Sequence, residues 1–403
     1  MTQRTSHTRL LLLLALLVAF PPLSIDMYLP ALPQLQETWQ QPLSLVNLTL
    51  IGFFAAYGLF LLVYGPLSDR LGRRPPMLAG IALYILGSGL CALAQGVTAL
   101  IVFRIVQAAG AASASAIAMA VTKDKFAGHE RERILAYIGV IMALAPMLAP
   151  TLGGWIMAFA SWRWIFLVQA LIGVVGGIGV WRMEESLKHP STANPLQVAL
   201  TYVELLGNAR YVCLVLLVSG TSVAHFCFIG SSSDIYIKGF GLSEQTFGYF
   251  FALNASALMA GLFLYTRLQR LMETRLLLSL AFAGIVLGCV AMLFNWLPGP
   301  WRLAVPMFFA SLAFGVSRPP SNNLILEQVD RHAGAASSLM VFTFFTAGAL
   351  VMWLVSLGWE DVIGLIGALG AVAGSLVLLI WLLVPKRFFF QHSDPAPEKG
   401  EAA

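Results

Sequence analysis

Three charged residues stand inside long apolar runs: Asp26, Arg104 and Arg318. A charge within hydrocarbon is costly and marks function by default. Asp26 lies seven positions before Pro33, and Arg104 seven positions after Val97. At a helical rise of 1.5 Å per residue, each sits roughly 10 Å from the same end of its run. A buried carboxylate carries protons well, because burial and a nearby cation act on its proton affinity in opposite directions. The alternative is a static ion pair tying two helices together. Gln107, one turn from Arg104, offers a hydrogen bond to the acid or to a ligand. In the second half, Arg318 precedes Pro319 and Pro320, and Asn322 follows. The prolines free backbone carbonyls that Arg318 or Asn322 could satisfy. Pairing with Glu327 and capture of an anionic or carbonyl-rich ligand are the other options. His225 could titrate or simply pack, and Asn254 could line a cavity. Neither a zinc cluster nor a disulfide framework is suggested by Cys91, Cys213, Cys227 and Cys289, each inside an apolar run and far from the others in sequence.

These residues need elements of a particular kind. Of 403 residues, 59% are hydrophobic and 11% charged, with a net charge of +5. Soluble domains carry about 25% charged residues, so a water-soluble globule is excluded, and so is a disordered chain. A polytopic membrane protein remains. Twelve apolar runs are read, at 10–32, 44–67, 77–96, 97–122, 134–158, 163–182, 211–235, 245–267, 275–297, 301–326, 334–358 and 362–384. They do not alternate as barrel strands do. With the N-terminus in the cytoplasm, 19 of the 24 Lys and Arg residues fall on the cytoplasmic side and three on the other. That asymmetry supports both the count and an orientation with both termini inside. The expected organisation is an N-terminal six-helix bundle over 1–182, a cytoplasmic linker over 183–210, a C-terminal bundle over 211–385 and a polar cytoplasmic tail over 386–403. Within the linker, Pro195–Gly207 reads as an amphipathic surface helix.

The break after the second run reads Gly65-Pro-Leu-Ser-Asp69-Arg70-Leu-Gly72-Arg73-Arg74. An acid in a last helical turn can pair with a neighbouring base or cap an adjacent helix, and Gly72 permits a tight turn. Composition alone would allow plain loop chemistry. The pattern, however, resembles the G-x-L-x-D-R-x-G-R-R signature of the major facilitator superfamily, between spans two and three where that family has it. Arg104-Ile-Val-Gln107-Ala-Ala-Gly110 resembles the family's span-four motif, with Ala108 in place of its first Gly. Ala149-Pro150-Thr-Leu-Gly153-Gly154 resembles the span-five antiporter motif, with Ala149 in place of Gly. Pro146 and Pro150 should bend that helix, and Gly153 and Gly154 allow close packing. Asp26 and its neighbours, Ile25 to Pro33, resemble the first-span motif of bicyclomycin- and chloramphenicol-resistance (Bcr/CflA) drug:proton antiporters. Phe247–Asn254 and Gly334–Leu339 are similar to the same subfamily. The second-half counterpart of the loop, Thr266–Met272, keeps the positive charge but lacks the Asp and the glycines.

The resemblance implies an all-α membrane protein of twelve helices in two six-helix bundles, with substrate held between them at mid-membrane. It implies a proton-driven exporter of amphipathic small molecules such as antibiotics, in the inner (plasma) membrane. Asp26 and Arg104 would couple protons. Those two, with Gln107, His225, Asn254 and Arg318, would meet substrate. Gly65, Asp69, Arg70, Gly72, Arg73, Pro150, Gly153 and Gly154 would govern the conformational change. Export or import of a nucleoside, amino acid or sugar is the alternative. An enzyme is not expected, since no H-E-x-x-H or G-x-S-x-G motif occurs, and no Walker loop suggests ATP. The expected partners are substrate, protons and lipid. No cofactor, metal or nucleic acid is expected, and one chain should suffice as a monomer.

Overall fold

The computed structural model describes residues 2–329 and 331–389; of the expected tail, 390–403 lie outside the described residues. The described residues are helical throughout, with no strand among them. In chain order the helices are α1 (Thr2–Val18), α2 (Phe20–Asp26), α3 (Leu32–Trp39), α4 (Leu43–Val46), α5 (Leu48–Leu71) and α6 (Arg74–Ala92). Next come α7 (Val97–Lys125), α8 (Gly128–Phe159), α9 (Arg163–Trp181), α10 (Pro195–Gly207), α11 (Ala209–Gly220) and α12 (Val223–Ser233). The chain then continues through α13 (Glu244–Leu268), α14 (Thr274–Ala291), α15 (Trp301–Glu327), α16 (Ala333–Val355), α17 (Val362–Leu383) and α18 (Lys386–Phe389).

Among the described residues, ten helical stretches are long and apolar enough to cross a membrane, and an eleventh forms if the bent pair Arg9–Val18 and Phe20–Trp39 is one span. That pair meets at 40°. Pro21 and Pro22 open α2, and Pro30 and Pro33 follow its end, so backbone donors are missing on both sides. At 27 residues α15 has the length, about 40 Å, but stands outside that set. Arg318 and the prolines beside it dilute its apolar content.

Small residues set the closest approaches. On α7, Ala108–Ser115 is a run of Ala, Gly and Ser, buried against its neighbours. α8 runs as one continuous helix through Pro146 and Pro150. A Cβ on Gly153 would stand 2.1 Å from the Met27 carbonyl oxygen, and one on Gly154 2.4 Å from that of Glu244. α8 therefore packs closely on the segment after α2 and on the start of α13. α10 spans the predicted Pro195–Gly207, opened by an Asn194–Gln197 capping box. Its Leu196, Leu200, Val203 and Leu206 are exposed, while Tyr202 donates from its hydroxyl to Leu62 O on α5 at 2.9 Å.

Candidate functional site

The last turn of α2 leaves two carbonyls for side chains to use. Beyond it the backbone tightens, and Tyr28 N–H bonds Ile25 O rather than Ser24 O. Arg104, fully buried on α7, donates from Nη1 to Ser24 O at 3.0 Å and to Gln107 Oε1 at 2.6 Å. Gln169 on α9 donates from Nε2 to Leu23 O at 3.2 Å. Gln107 Nε2 in turn donates to Ser88 Oγ and Gln169 Oε1, both at 2.8 Å. Ser24 Oγ bonds Phe20 O and the Tyr84 hydroxyl. One polar network thus joins α2, α6, α7 and α9. The guanidinium also lies over aromatic faces, with Cζ 4.3 Å from the Phe53 ring centre and 4.8 Å from that of Tyr28. Its Nε and Nη2 are buried without a partner.

Asp26 ends α2 and is buried, two residues from the carbonyl that Arg104 holds. Direct pairing was one expected arrangement. In this conformation the Asp26 carboxylate has no hydrogen-bond or ion-pair partner among the described residues, and Arg104 is occupied by Ser24 and Gln107. The two groups share one segment without touching. Sequence reasoning missed Ser24, Ser88, Tyr84 and Gln169; the lone glutamine within the sixth apolar run was the available signal.

The second-half candidates form a separate group. Arg318 Cζ lies 4.3 Å from the Phe344 ring centre and 5.5 Å from that of Phe314. The His225 ring stacks on Phe314 at 5.3 Å. Glu327 is nine residues along α15, and no ion pair joins it to Arg318. His225 Nδ1, Ser311 Oγ, Asn322 Oδ1 and both polar atoms of the Asn254 side chain are buried without partners. No hydrogen bond or ring contact brings Asn254 to His225 or Arg318. Between the two guanidiniums runs a series of rings. Phe53 stacks on Tyr57 at 6.3 Å, Tyr57 meets Phe345 edge-on at 5.1 Å, and Phe345 meets Phe344 at 5.4 Å.

The loop after α5 forms a third site. Arg73, 6% exposed, donates to Asp69 Oδ1 at 2.5 Å, Ser68 Oγ at 2.9 Å and Asp124 Oδ2 at 2.8 Å. Glu185 accepts from four backbone N–H groups, those of Arg73, Arg74, Ser186 and Leu187, at 2.8–3.0 Å. Partial burial acts to raise the Glu185 carboxyl, but those four donors outweigh it and hold it below the usual range. Gly72 has a φ of 92° and a Cβ there would stand 2.7 Å from Glu185 Oε2, so both backbone and space call for glycine. Arg74 donates to Trp181 O. Arg70 is exposed, and nothing stands within 4 Å of a Cβ on Gly65. The sequence pointed to Asp69 and Arg73 but not to Asp124 or Glu185, which come from distant parts of the chain.

Contacts between residues before 182 and after 211 include a polar group at one end of the molecule. Gln36 donates to Asp234 Oδ1 at 3.1 Å and accepts from Lys238 Nζ at 3.0 Å, and Asn47 donates to Gly230 O at 2.7 Å.

Residues 14–352 match the Major Facilitator Superfamily. The chain belongs to that family. It is therefore a multi-span membrane transporter and not an enzyme. It is 30% identical over 375 residues to the MFS-type transporter YdgK of Bacillus subtilis (strain 168), covering 90% of this chain and 93% of the relative. It is 25% identical to multidrug resistance protein D of Escherichia coli (strain K12), over 96% of this chain and 99% of the relative. The bicyclomycin resistance protein homolog of Haemophilus influenzae is 27% identical, over 96% and 98%. The crystal structure of a D-xylose-proton symporter superposes with a TM-score of 0.75 at 15% identity, covering 94% of this chain and 98% of that one. That likeness concerns the fold alone.

Proposed function

We propose that this transporter is a proton-driven exporter of small amphipathic molecules, antibiotics among them, working by alternating access in the inner membrane. The observation that carries the reading is Asp26, a buried carboxylate with no partner among the described residues, next to an arginine network inside a chain whose relatives are named for multidrug and bicyclomycin resistance. An acid in such a place can be loaded with a proton when its cavity faces one side and unloaded when it faces the other. Arg104, free to exchange Ser24 O for the carboxylate two residues on, would favour release. Gln107, His225, Asn254 and Arg318 complete the substrate-facing set. Asp69, Arg73 and the span-two loop, with Pro150, Gly153 and Gly154, work in the conformational change.

The same reading takes α15 as the twelfth span, with six helices on either side of linker 183–210, both termini cytoplasmic and a monomer sufficient. Its support is the Lys and Arg asymmetry and the length of α15. The cross-links of Gln36 with Asp234 and Lys238, and of Asn47 with Gly230, lie at the end assigned to the outside. They support an inward-facing conformation. Cysteines at Gln41 and Gln95 should react with an impermeant thiol reagent from outside, and one at Gly128 should not; the opposite labelling refutes this topology. For function, the test is uptake of a panel including chloramphenicol into everted vesicles. Acceleration by an inward-acid gradient is expected, and uptake indifferent to that gradient, or confined to a nucleoside, amino acid or sugar, would overturn the reading.

A further inference from the structure

We infer that the site takes a planar aromatic anion, its acidic group held by Arg318 and its ring system lying on the aromatic series that runs toward Arg104. The inference rests on the exporter reading and names a substrate class for it. It starts from charge. Arg104 is a fully buried guanidinium and Arg318 a partly buried one, and Asp26 is the single buried carboxylate among the described residues. Asp26 belongs to the α2 segment at the Arg104 end. Arg318 has neither an acid nor a hydrogen-bond acceptor among the described residues, only the faces of Phe314 and Phe344. Ring faces attract a cation but neutralise none of its charge, and a partly desolvated charge with no acid beside it is stabilised by a counter-charge.

Position and surroundings define the missing partner. Arg318 lies nine residues from the end of α15 at Glu327, roughly 13 Å along the axis. That depth is out of reach for a lipid headgroup seated at the membrane surface. Ser311, Phe314, Arg318 and Asn322 recur on α15 at spacings of three, four and four, so they share one face. Ser311, 1% exposed, presents an unpartnered Oγ to a small cavity that it shares with His225 and Phe314. Asn322 Oδ1, one turn beyond Arg318, is likewise unpartnered. Along that face, then, a hydroxyl stands two turns before the cation and an amide one turn beyond it, each able to donate to a ligand oxygen. Phe344 and Phe345, both partly exposed, carry stackable surface next to the cation, and the buried Tyr57 and Phe53 continue the series into the interior. A carboxylate or sulfonate on a flat aromatic body supplies the missing counter-charge and a surface for the neighbouring rings. A neutral molecule of the same shape leaves the guanidinium uncompensated.

The probe pair is radiolabelled 1-naphthoate and 1-naphthamide, which share a ring system and differ in charge. Equilibrium binding to the purified full-length chain should favour naphthoate about ten-fold, one charge-assisted contact's worth. Arg318→Gln should reduce the preference to about two-fold or less, and Arg318→Lys, which keeps the charge but loses the planar fork, should retain part of it. A wild-type protein that does not discriminate overturns the inference, as does an Arg318→Gln protein that still prefers naphthoate ten-fold. Chloramphenicol uptake by wild-type everted vesicles separates the two proposals. Gradient-driven uptake without any naphthoate preference sinks the anion site and leaves the exporter. An Arg318-dependent preference without gradient-driven uptake of any compound keeps the anion site and sinks the exporter.

Discussion

Arg104 and Arg318 are both arginines in the interior of a transporter, yet their surroundings are opposite in kind. Arg104 is clamped by Ser24 O and Gln107, and Gln107 is clamped in turn by Ser88 and Gln169. Arg318 has rings around it and no hydrogen-bond partner among the described residues. A group held by hydrogen bonds to two fixed acceptors has its geometry set, whereas one that makes none keeps its donors for a ligand. The contrast assigns precise positioning next to Asp26 to the first region and adaptable recognition to the second.

The sharpest way to break that comparison is Arg104→Ala. It strands Gln107 Oε1 and Ser24 O in the interior, at about 1–3 kcal/mol for each unsatisfied group. Driven transport should fall by about a hundred-fold or more, and the thermal midpoint of the purified protein should drop as well. Equal loss of midpoint in Arg104→Ala and Arg318→Ala would erase the distinction between the two regions.

Gly153→Val comes next. Its side chain would drive into Met27 O, one residue from Asp26. The α2 segment must move, and transport should fall about ten-fold or more, since small displacements of a working group are expensive. Gly139→Ala, with nothing within 4 Å of its Cβ, is the control and should transport normally. A fully active Gly153→Val protein would detach α8 packing from the Asp26 region.

A smaller effect is expected at the loop. Asp69→Asn weakens one of the two carboxylate partners of Arg73 while Asp124 remains. Transport should slow several-fold with insertion intact, as membrane yield and uptake rate will report. Undiminished rates in a correctly inserted protein remove the loop from the mechanism.

The smallest effect concerns the Glu185 clasp and is read against pH. Its carboxyl is held below the usual range in the folded protein. The stability it contributes is therefore complete above the ordinary glutamate value and is lost as pH falls through the lowered one. Protease cutting near Lys188 should stay slow down to the ordinary carboxylate range and quicken below it. Glu185→Gln should be cut faster at neutral pH, with little further change on acidification. Identical acid profiles for the two proteins would exclude the clasp.

Much of this was legible from the chain. Hydropathy located the apolar helices, and the stretch read as a surface helix, Pro195–Gly207, is α10 to the residue. The family motifs named the loop and the Arg104–Gln107 pair. What stayed hidden depended on where the backbone breaks. Ser24 O becomes an acceptor because the chain tightens after α2, and that carbonyl, not the Asp26 side chain, meets Arg104. Gln169, Ser88, Asp124 and Glu185 join their networks from remote elements, and no spacing in the sequence sets them side by side. The ring series between the arginines likewise exists only once α5 and α16 are packed together.

The central claim is that Asp26 carries the proton, and uphill uptake into everted vesicles tests it most directly. The comparison uses a compound that the wild-type protein concentrates under a proton gradient, with wild type, Asp26→Asn, and Asp26→Asn combined with Arg104→Gln. Asparagine mimics the protonated acid in shape and cannot release a proton. The account predicts that both variants lose gradient-driven accumulation, while Asp26→Asn still exchanges labelled for unlabelled compound. If the double variant accumulates the compound uphill at the wild-type level, Asp26 is not the carrier.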